Sequence, residues 1–285
     1  MADERRLQQQ IESVDGLRNV IHSMRSLAAT YLHRAEAKLD GVRAYTRIVG
    51  EGIAACLAGH DIRLPPAEGR RVAVAVFFSE QGLCGRFNDI MAESAAEAAD
   101  ALDDPAFLVI GRRGPGRLDR HGLHVAAAVP GVTNPDDMDG AIHATVRLLL
   151  RSHQEGGYRE FHLLHAESGG AGEMTARRER ILPLDLSPWR DADAETASPP
   201  RMELPRRQLL AKFVDEYAFV AILRALAESL AAENGMRLKS MEGAKQNIDD
   251  TLEDLRQRAR MERQNAITEE LLDVVAGTEA LQQTP

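Results

Sequence analysis

The residues of this chain that could do chemistry are few and scattered. Gly82-Leu83-Cys84-Gly85 and Gly111-Arg112-Arg113-Gly114-Pro115-Gly116 each follow a short apolar run, where backbone N–H groups could cradle a phosphate. Neither has the Lys-Ser/Thr ending of a P-loop or the spacing of a dinucleotide fingerprint, so tight structural turns stand beside anion binding as readings. Cys84 among glycines has the setting of an activated thiol. No His and Asn partners can be assembled around it, which leaves a small buried residue as the other reading. His162 and His165 share strand spacing, yet no HExxH or Cys/His cluster occurs among the 9 histidines, so no metal site is expected. The acid pairs Asp249-Asp250 and Glu269-Glu270 fall on solvated helix faces. No nucleophile–base pair emerges, and neither catalysis by the lone chain nor a cofactor is expected.

The elements that would position these residues are more informative. Leu7, Val14, Ile21, Ala28, Ala35, Val42, Val49 and Cys56 recur every seventh residue, and all are apolar. A second seam holds Ile11, Leu32, Leu39 and Ile53 but is broken by Arg18, Arg25 and Thr46; Leu17, Met24, Tyr31 and Tyr45 widen the stripe. With no proline before Pro65, this spacing predicts one helix over residues 4–58, a length of about 80 Å. The stretch from Pro205 to Gly277 behaves alike. Its seam runs from Leu210 and Phe213 through Ala227, Ala231, Met241, Ile248 and Leu252 to Ala266, interrupted by Arg224, Asn234, Lys245 and Glu262. Asn234-Gly235 is a point where a break or kink is expected.

Neither stripe can be buried by one helix alone, and loop residues that would fold either back on itself are missing. The first and last segments therefore pair antiparallel as a coiled coil, with the middle inserted at one end. That middle reads as a small α/β domain over 70–187. Strands are expected at 71–79, 107–111, 122–129 and 158–166, helices at 88–101 and 136–153, and an edge strand at 173–184 after a hairpin tip at 169–172. The β-α-β order predicts a parallel-leaning sheet with helices on its faces, a Rossmann-like arrangement. The Pro- and Ser-rich segment 188–205 reads as a linker into the helix 206–278.

Composition excludes several classes. The chain has 285 residues, 44% of them apolar, and a net charge of −9. The two ends carry 8 basic against 7 acidic residues (1–58) and 11 against 14 (206–285), so most of the excess acid lies between them. No basic stripe with interleaved aromatics appears, which speaks against nucleic acid. No apolar run approaches the ~18–20 residues of a membrane span. The polar start MADERRLQQQ is not a secretory signal, and the two cysteines make no disulfide framework.

The ordered motifs carry a resemblance. Ser79-Glu80-Gln81-Gly82-Leu83-Cys84-Gly85 followed by Asn88 resembles the S-D-x-G-L-C-G-x-x-N segment of the gamma subunit of F-type ATP synthases. Glu233, Arg237, Met241, Ala244 and Asn247 are similar to its E-x-x-x-R-x-x-x-M-x-x-A-x-x-N, and residues 263–271 with Gly277 to its R-Q-x-x-I-T-x-E-L and trailing glycine. Ile11, Ser13, Val14, Met24, Ala28 and Ala29 fit the spacing of its first helix. Gly111-Arg112-Arg113-Gly114 and Leu182-Pro183-Leu184 fall where the family has G-x-K-G and L-L-P-L. Departures are Asn19 and His22 in place of lysines, Arg86 in place of a second glycine, and Ala259-Arg260 in place of Tyr-Asn. They mark a divergent branch, with an alternative rotary ATPase as the specialised expectation.

The resemblance implies a rotor shaft inside a ring of alpha and beta subunits. The α/β domain, with the epsilon subunit, would bind the membrane c-ring on the cytoplasmic side, as a peripheral part of the assembly. By motif match, Arg263, Gln264 and Thr268 would contact moving loops of the beta subunits and Met24 would lie at the neck of the shaft. The tail after Gly277 would enter the bearing at the top of the hexamer, and Gly82, Leu83, Cys84 and Gly85 would form a structural turn. Patterning alone leaves two other functions open: a coiled-coil tether or scaffold with an α/β recognition head, and a cofactor-dependent enzyme using the α/β domain.

Overall fold

The computed structural model describes residues 2–64, 69, 71–170, 172–190 and 202–282. In chain order the elements are α1 (Ala2–Leu57), β1 (Arg71–Phe77), α2 (Phe87–Ala101), β2 (Pro105–Ile110), α3 (Pro115–Asp119) and β3 (Val125–Val129). After a 3-10 turn at Pro135–Asp137 come α4 (Met138–Gly156), β4 (Tyr158–Gly170), β5 (Glu173–Leu182), α5 (Ser187–Arg190) and α6 (Arg206–Gln282). The chain is α/β, with two long terminal helices and an inserted Rossmann-like sheet. It divides into two compact units, one of residues 1–27 with 240–285 and the other of residues 28–239.

In the first unit α1 and α6 pair antiparallel. Ile21 packs with Met241, Ile248 and Leu252, joined by the half-buried Ile11, Val14, Met24 and Ala244. Ion pairs flank this seam. Arg25 meets Glu242 at 2.7 Å, Arg18 meets Asp249 at 2.8 Å, and Asp15 faces Arg256 at 3.7 Å. Arg18 and Arg25, which interrupt the apolar repeat, thus reach across to acids on α6, while Lys245 pairs along α6 with Asp249 at 2.9 Å.

In the second unit the same two helices also run antiparallel, with Tyr45 donating to Glu216 and Arg206 to the carbonyl of Ala55. The heptad positions Ala28, Ala35, Val42, Val49 and Cys56 are all buried there. Gly52 lets the helices approach: a Cβ at this position would stand 2.4 Å from the ring of Phe213. Leu17 in the first unit and Tyr45 in the second, expected to widen the buried stripe, are instead exposed, because the seam is narrower than an amphipathic face.

The sheet has the order β3-β2-β1-β4-β5. The first three pairings are parallel, and β4–β5 is an antiparallel hairpin. Alternation sorts its side chains into two layers. Ala73, Ala75, Phe77, Leu108, Ile110 and Leu163 face α4 and the Ala225–Ala231 stretch of α6. Val72, Val74, Val76, Phe107, Val109 and Leu164 face α2 and α3. Residues 225–235 of α6 are all buried, between the sheet and α1, and the stretch carries the polar Glu228, Ser229, Glu233 and Asn234 among its alanines and leucines.

The expected break at Asn234-Gly235 does not occur: α6 is continuous there. Asn234 donates its amide to the carbonyl of Leu230 at 2.8 Å. A Cβ on Gly235 would come no nearer than 3.9 Å to Gly172, an ordinary contact; it is Gly172, where a Cβ would fall 2.7 Å from Cβ of Lys239, that lets the β4–β5 hairpin approach α6. The third strand begins at Val125, not Gly122, because residues 115–119 form α3. Most of the expected 188–205 linker lies outside the described residues.

Candidate functional site: the glycine turn and the α6 surface

The turn that follows β1 is built around Ser79 and Asn88, both buried. The Asn88 side-chain oxygen Oδ1 accepts from the Ser79 amide at 3.0 Å. Its Nδ2 donates to Ser79 Oγ at 2.8 Å and to Cys84 Sγ at 3.2 Å. Ser79 Oγ donates to the carbonyl of Gln81 at 2.6 Å. Leu83 and Gly85 both adopt positive φ, 63° and 57°, so the chain reverses tightly before α2. Leu83, at the tip, is exposed. Burial raises the Cys84 thiol above its ordinary pKa, which keeps it protonated and unlike a nucleophile.

This turn lies at the carboxyl ends of the parallel strands, where open α/β sheets bind ligands. Here a side chain of the protein itself fills the anion position. Glu80 Oε2 accepts from the amides of Gly131 at 2.8 Å and Arg112 at 3.1 Å, and Oε1 pairs with Arg112 Nε at 2.7 Å. The two glycine stretches 82–85 and 111–116 are thereby tied together, since the Arg113 amide also donates to the Ser79 carbonyl at 3.1 Å. A phosphate would have to displace a carboxylate that already satisfies these donors.

On the α6 side, Arg237 joins the turn to the helix. It donates to Asn234 Oδ1 at 3.0 Å, to the Gly82 carbonyl at 3.4 Å, and to Glu233 one turn earlier. Glu233 is buried, and desolvation pushes its carboxyl up to about 7 against the opposing pull of Arg237. Of the motif positions, Arg237 therefore meets the motif turn and Glu233 meets Arg237.

The structure does not bring the other selected residues together. Met24 is half-buried in the α1–α6 seam beside Met241 and Ala244. Arg263, Gln264 and Thr268 lie exposed on α6, and the Thr268 hydroxyl donates back to the Gln264 carbonyl at 2.8 Å. Beyond Leu252 no described α6 side chain is buried. Met261, Ile267, Leu271, Leu272 and Val274 are each between 49% and 63% exposed. Among the described residues, no helix is long and apolar enough to cross a membrane.

Sequence spacing also missed a buried polar group in the second unit. His165 on β4 faces Glu228 on α6 and lies near Glu167, while Arg224 holds Glu179 with two 2.6 Å contacts. His165 and Glu228 are 63 positions apart, and only the packing of β4 on α6 unites them.

The chain is thus a long antiparallel helix pair carrying an α/β domain, in whose strand-end crevice Glu80 occupies the backbone donors. The comparisons agree. The ATP synthase family model matches residues 3–281. The ATP synthase gamma chain of Bdellovibrio bacteriovorus is 28% identical over 99% of both chains, and that of Salinibacter ruber 27% identical over 100% of both. Among solved structures, the Euglena gracilis mitochondrial ATP synthase (OSCP, F1 and c-ring) aligns with a TM-score of 0.65 at 13% identity, over 98% of this chain and 95% of that one. The central stalk and c-ring of Tetrahymena thermophila mitochondrial ATP synthase aligns at 0.55 and 19% identity, covering 79% and 99%. The chain belongs to the ATP synthase family, and within it to the gamma chains.

Proposed function

We infer that this chain is the central rotor stalk of an F-type ATP synthase, coupling ion flow through a membrane ring to ATP synthesis or hydrolysis in a hexamer of alpha and beta subunits. It is not catalytic alone; it transmits torque. One observation carries the reading. The last turns of α6 present Met261, Ile267, Leu271, Leu272 and Val274 largely uncovered on a continuous helix. Apolar side chains gathered at one end of a chain call for a covering surface, and the ring of nucleotide-binding subunits supplies one. An asymmetric helix pair turning inside such a ring forces each beta subunit through conformations of different nucleotide affinity.

In this reading Arg263, Gln264 and Thr268 touch the moving loops of the beta subunits, Met24 lies at the neck, and Gly82, Leu83, Cys84 and Gly85 hold the head to α6. The α/β domain, with an epsilon subunit, meets the c-ring, and the assembly is peripheral to the cytoplasmic face of the membrane. Purification through a tag on this chain tests the proposal. Stable recovery of nucleotide-binding subunits in a 3:3 ring with ATPase activity is expected. Recovery of the chain alone from membranes that hydrolyse ATP would overturn it.

A further inference from the structure

His165 is fully buried on β4, and neither of its ring nitrogens has a hydrogen-bond partner among the described residues. Its Nδ1 stands 3.1 Å from Oε2 of Glu228 on α6, a buried oxygen that is likewise without a partner. The two atoms are within hydrogen-bond reach, yet they are not aligned for a bond with each other. That is close to the relation of two ligands aimed at a third atom: donors about 2.0–2.2 Å from a tetrahedral zinc ion lie about 3.3–3.6 Å apart. Glu167, two residues along β4 and so on the same side of the strand, brings a carboxylate oxygen into the group. One ligand atom from each of the three residues lies within 4.8 Å of the others.

We propose that His165, Glu167 and Glu228 form a binding site for a divalent ion of the zinc class, His165 coordinating through Nδ1. One imidazole and two carboxylates are a donor set for zinc and its first-row neighbours, softer than the all-oxygen shell that magnesium or calcium requires. The surroundings supply the outer support such sites use. The other ring nitrogen of His165 faces Glu179 Oε1 at 3.7 Å, and Arg224 fixes Glu179 by its two 2.6 Å contacts. Arg177 holds Glu167 through Oε1, leaving Oε2 for the ion. The two arginines balance two of the three carboxylates, Glu167, Glu179 and Glu228, and a divalent ion more than offsets the third, with Glu36 and Asp40 of α1 in the same cavity wall to balance the remaining positive charge.

Entry and a fourth ligand are also provided for. An open-sided cavity of about 570 Å³ has Glu167, Arg177 and Glu228 in its wall together with Glu36, Asp40 and Arg43 of α1, and is large enough to admit both the ion and a coordinated water. Bound there, the ion pins β4 to α6 and stabilises the second unit by mass action.

The alternative is a plain ion pair between a protonated His165 and the carboxylates, and the experiment separates the two. The full chain is stripped with chelator and titrated with Zn²⁺ by calorimetry and with Co²⁺ by visible absorption. One ion per chain is expected, with nitrogen and oxygen but no sulfur neighbours by X-ray absorption. His165→Gln and Glu228→Gln should each weaken binding at least tenfold, while His124→Ala, at an exposed histidine, should not. Glu167→Gln alters a half-exposed position and serves if the buried variants fail to fold; it too should weaken binding about tenfold. Absence of binding by the folded chain, sulfur in the ligand shell, or affinity unchanged in Glu167→Gln would overturn the site.

Discussion

Arg237 and Glu233 lie one helical turn apart on α6, both more than nine-tenths buried, and the same guanidinium reaches the Gly82 carbonyl on the turn that follows β1. A buried carboxylate with one cation beside it is only partly compensated, so its proton affinity rises. The Glu233 carboxyl titrates near 4.5 in the unfolded chain and at about 7 in the native one, where desolvation is the largest cause. Between those values the native state holds more protons than the unfolded state. Stability from this group is therefore fully present below about 4.5, falls as pH rises through about 7, and is level above. Glu233→Gln lacks the titration. The stability gap between the two proteins should move in the variant's favour by roughly 3 kcal/mol between pH 4.5 and 7.5, read from urea midpoints. A gap that stays constant over that range would show that Glu233 does not titrate there.

Both cysteines should be silent in the native chain. Cys56 and Cys84 are buried, and in each case desolvation raises the thiol pKa. Since the thiolate is the reactive form, a disulfide reagent at pH 7.5 should label neither on the minute timescale and both after unfolding in urea. Rapid labelling of Cys84 in the folded protein would revive the activated-thiol reading of the glycine turn.

Two glycines should respond with opposite signs. Gly41 lies inside α1 with open space where a Cβ would go, so Gly41→Ala should stabilise by about 0.5–1 kcal/mol through helix propensity. Gly111 sits at φ 107°, and a Cβ there would fall 2.2 Å from the Phe78 carbonyl oxygen. Backbone cannot step aside as a side-chain tip can. Gly111→Ala should cost at least about 1–3 kcal/mol, visible as a lowered melting temperature. Equal shifts in the two variants would contradict the placement of the β2–α3 turn.

What could be read from residues alone follows from distance along the chain. The α1 repeat was legible because every seventh residue meets the same neighbour, and from Ile21 to Cys56 each of those positions is buried. Strands β1 and β2 were legible as continuous apolar runs, since a sheet covered on both faces needs no polar side. Gly235 misled because one glycine costs a helix only about 1 kcal/mol, which the burial of residues 225–235 outweighs. The Glu80 contacts to the Arg112 and Gly131 amides, and the meeting of His165 with Glu228, join residues 32 to 63 positions apart. No local spacing encodes them. The exposed end of α6 was legible as motif but not as surface, because its apolar residues continue a helical pattern that the described fold leaves uncovered.

That end of α6 yields the sharpest separation of folding from function. Leu271 and Leu272 are 62% and 63% exposed, so replacing both with Glu removes little buried area and should change the chain's own stability by no more than about 0.5 kcal/mol. If α6 turns inside the subunit ring as proposed, the same change sets two charges against the surface that covers it. Loss of the hexamer from the tagged chain, or ATP hydrolysis that no longer drives ion transport, is the expected result. Arg263→Ala with Gln264→Ala, on the same exposed stretch, should leave assembly intact and lower coupled turnover, since these polar groups are assigned to the moving loops and not to the bearing. Assembly and ion pumping at the unmodified level in both double variants would mean that the surface from Met261 to Val274 faces solvent in the working enzyme, and that torque passes through some other part of the chain.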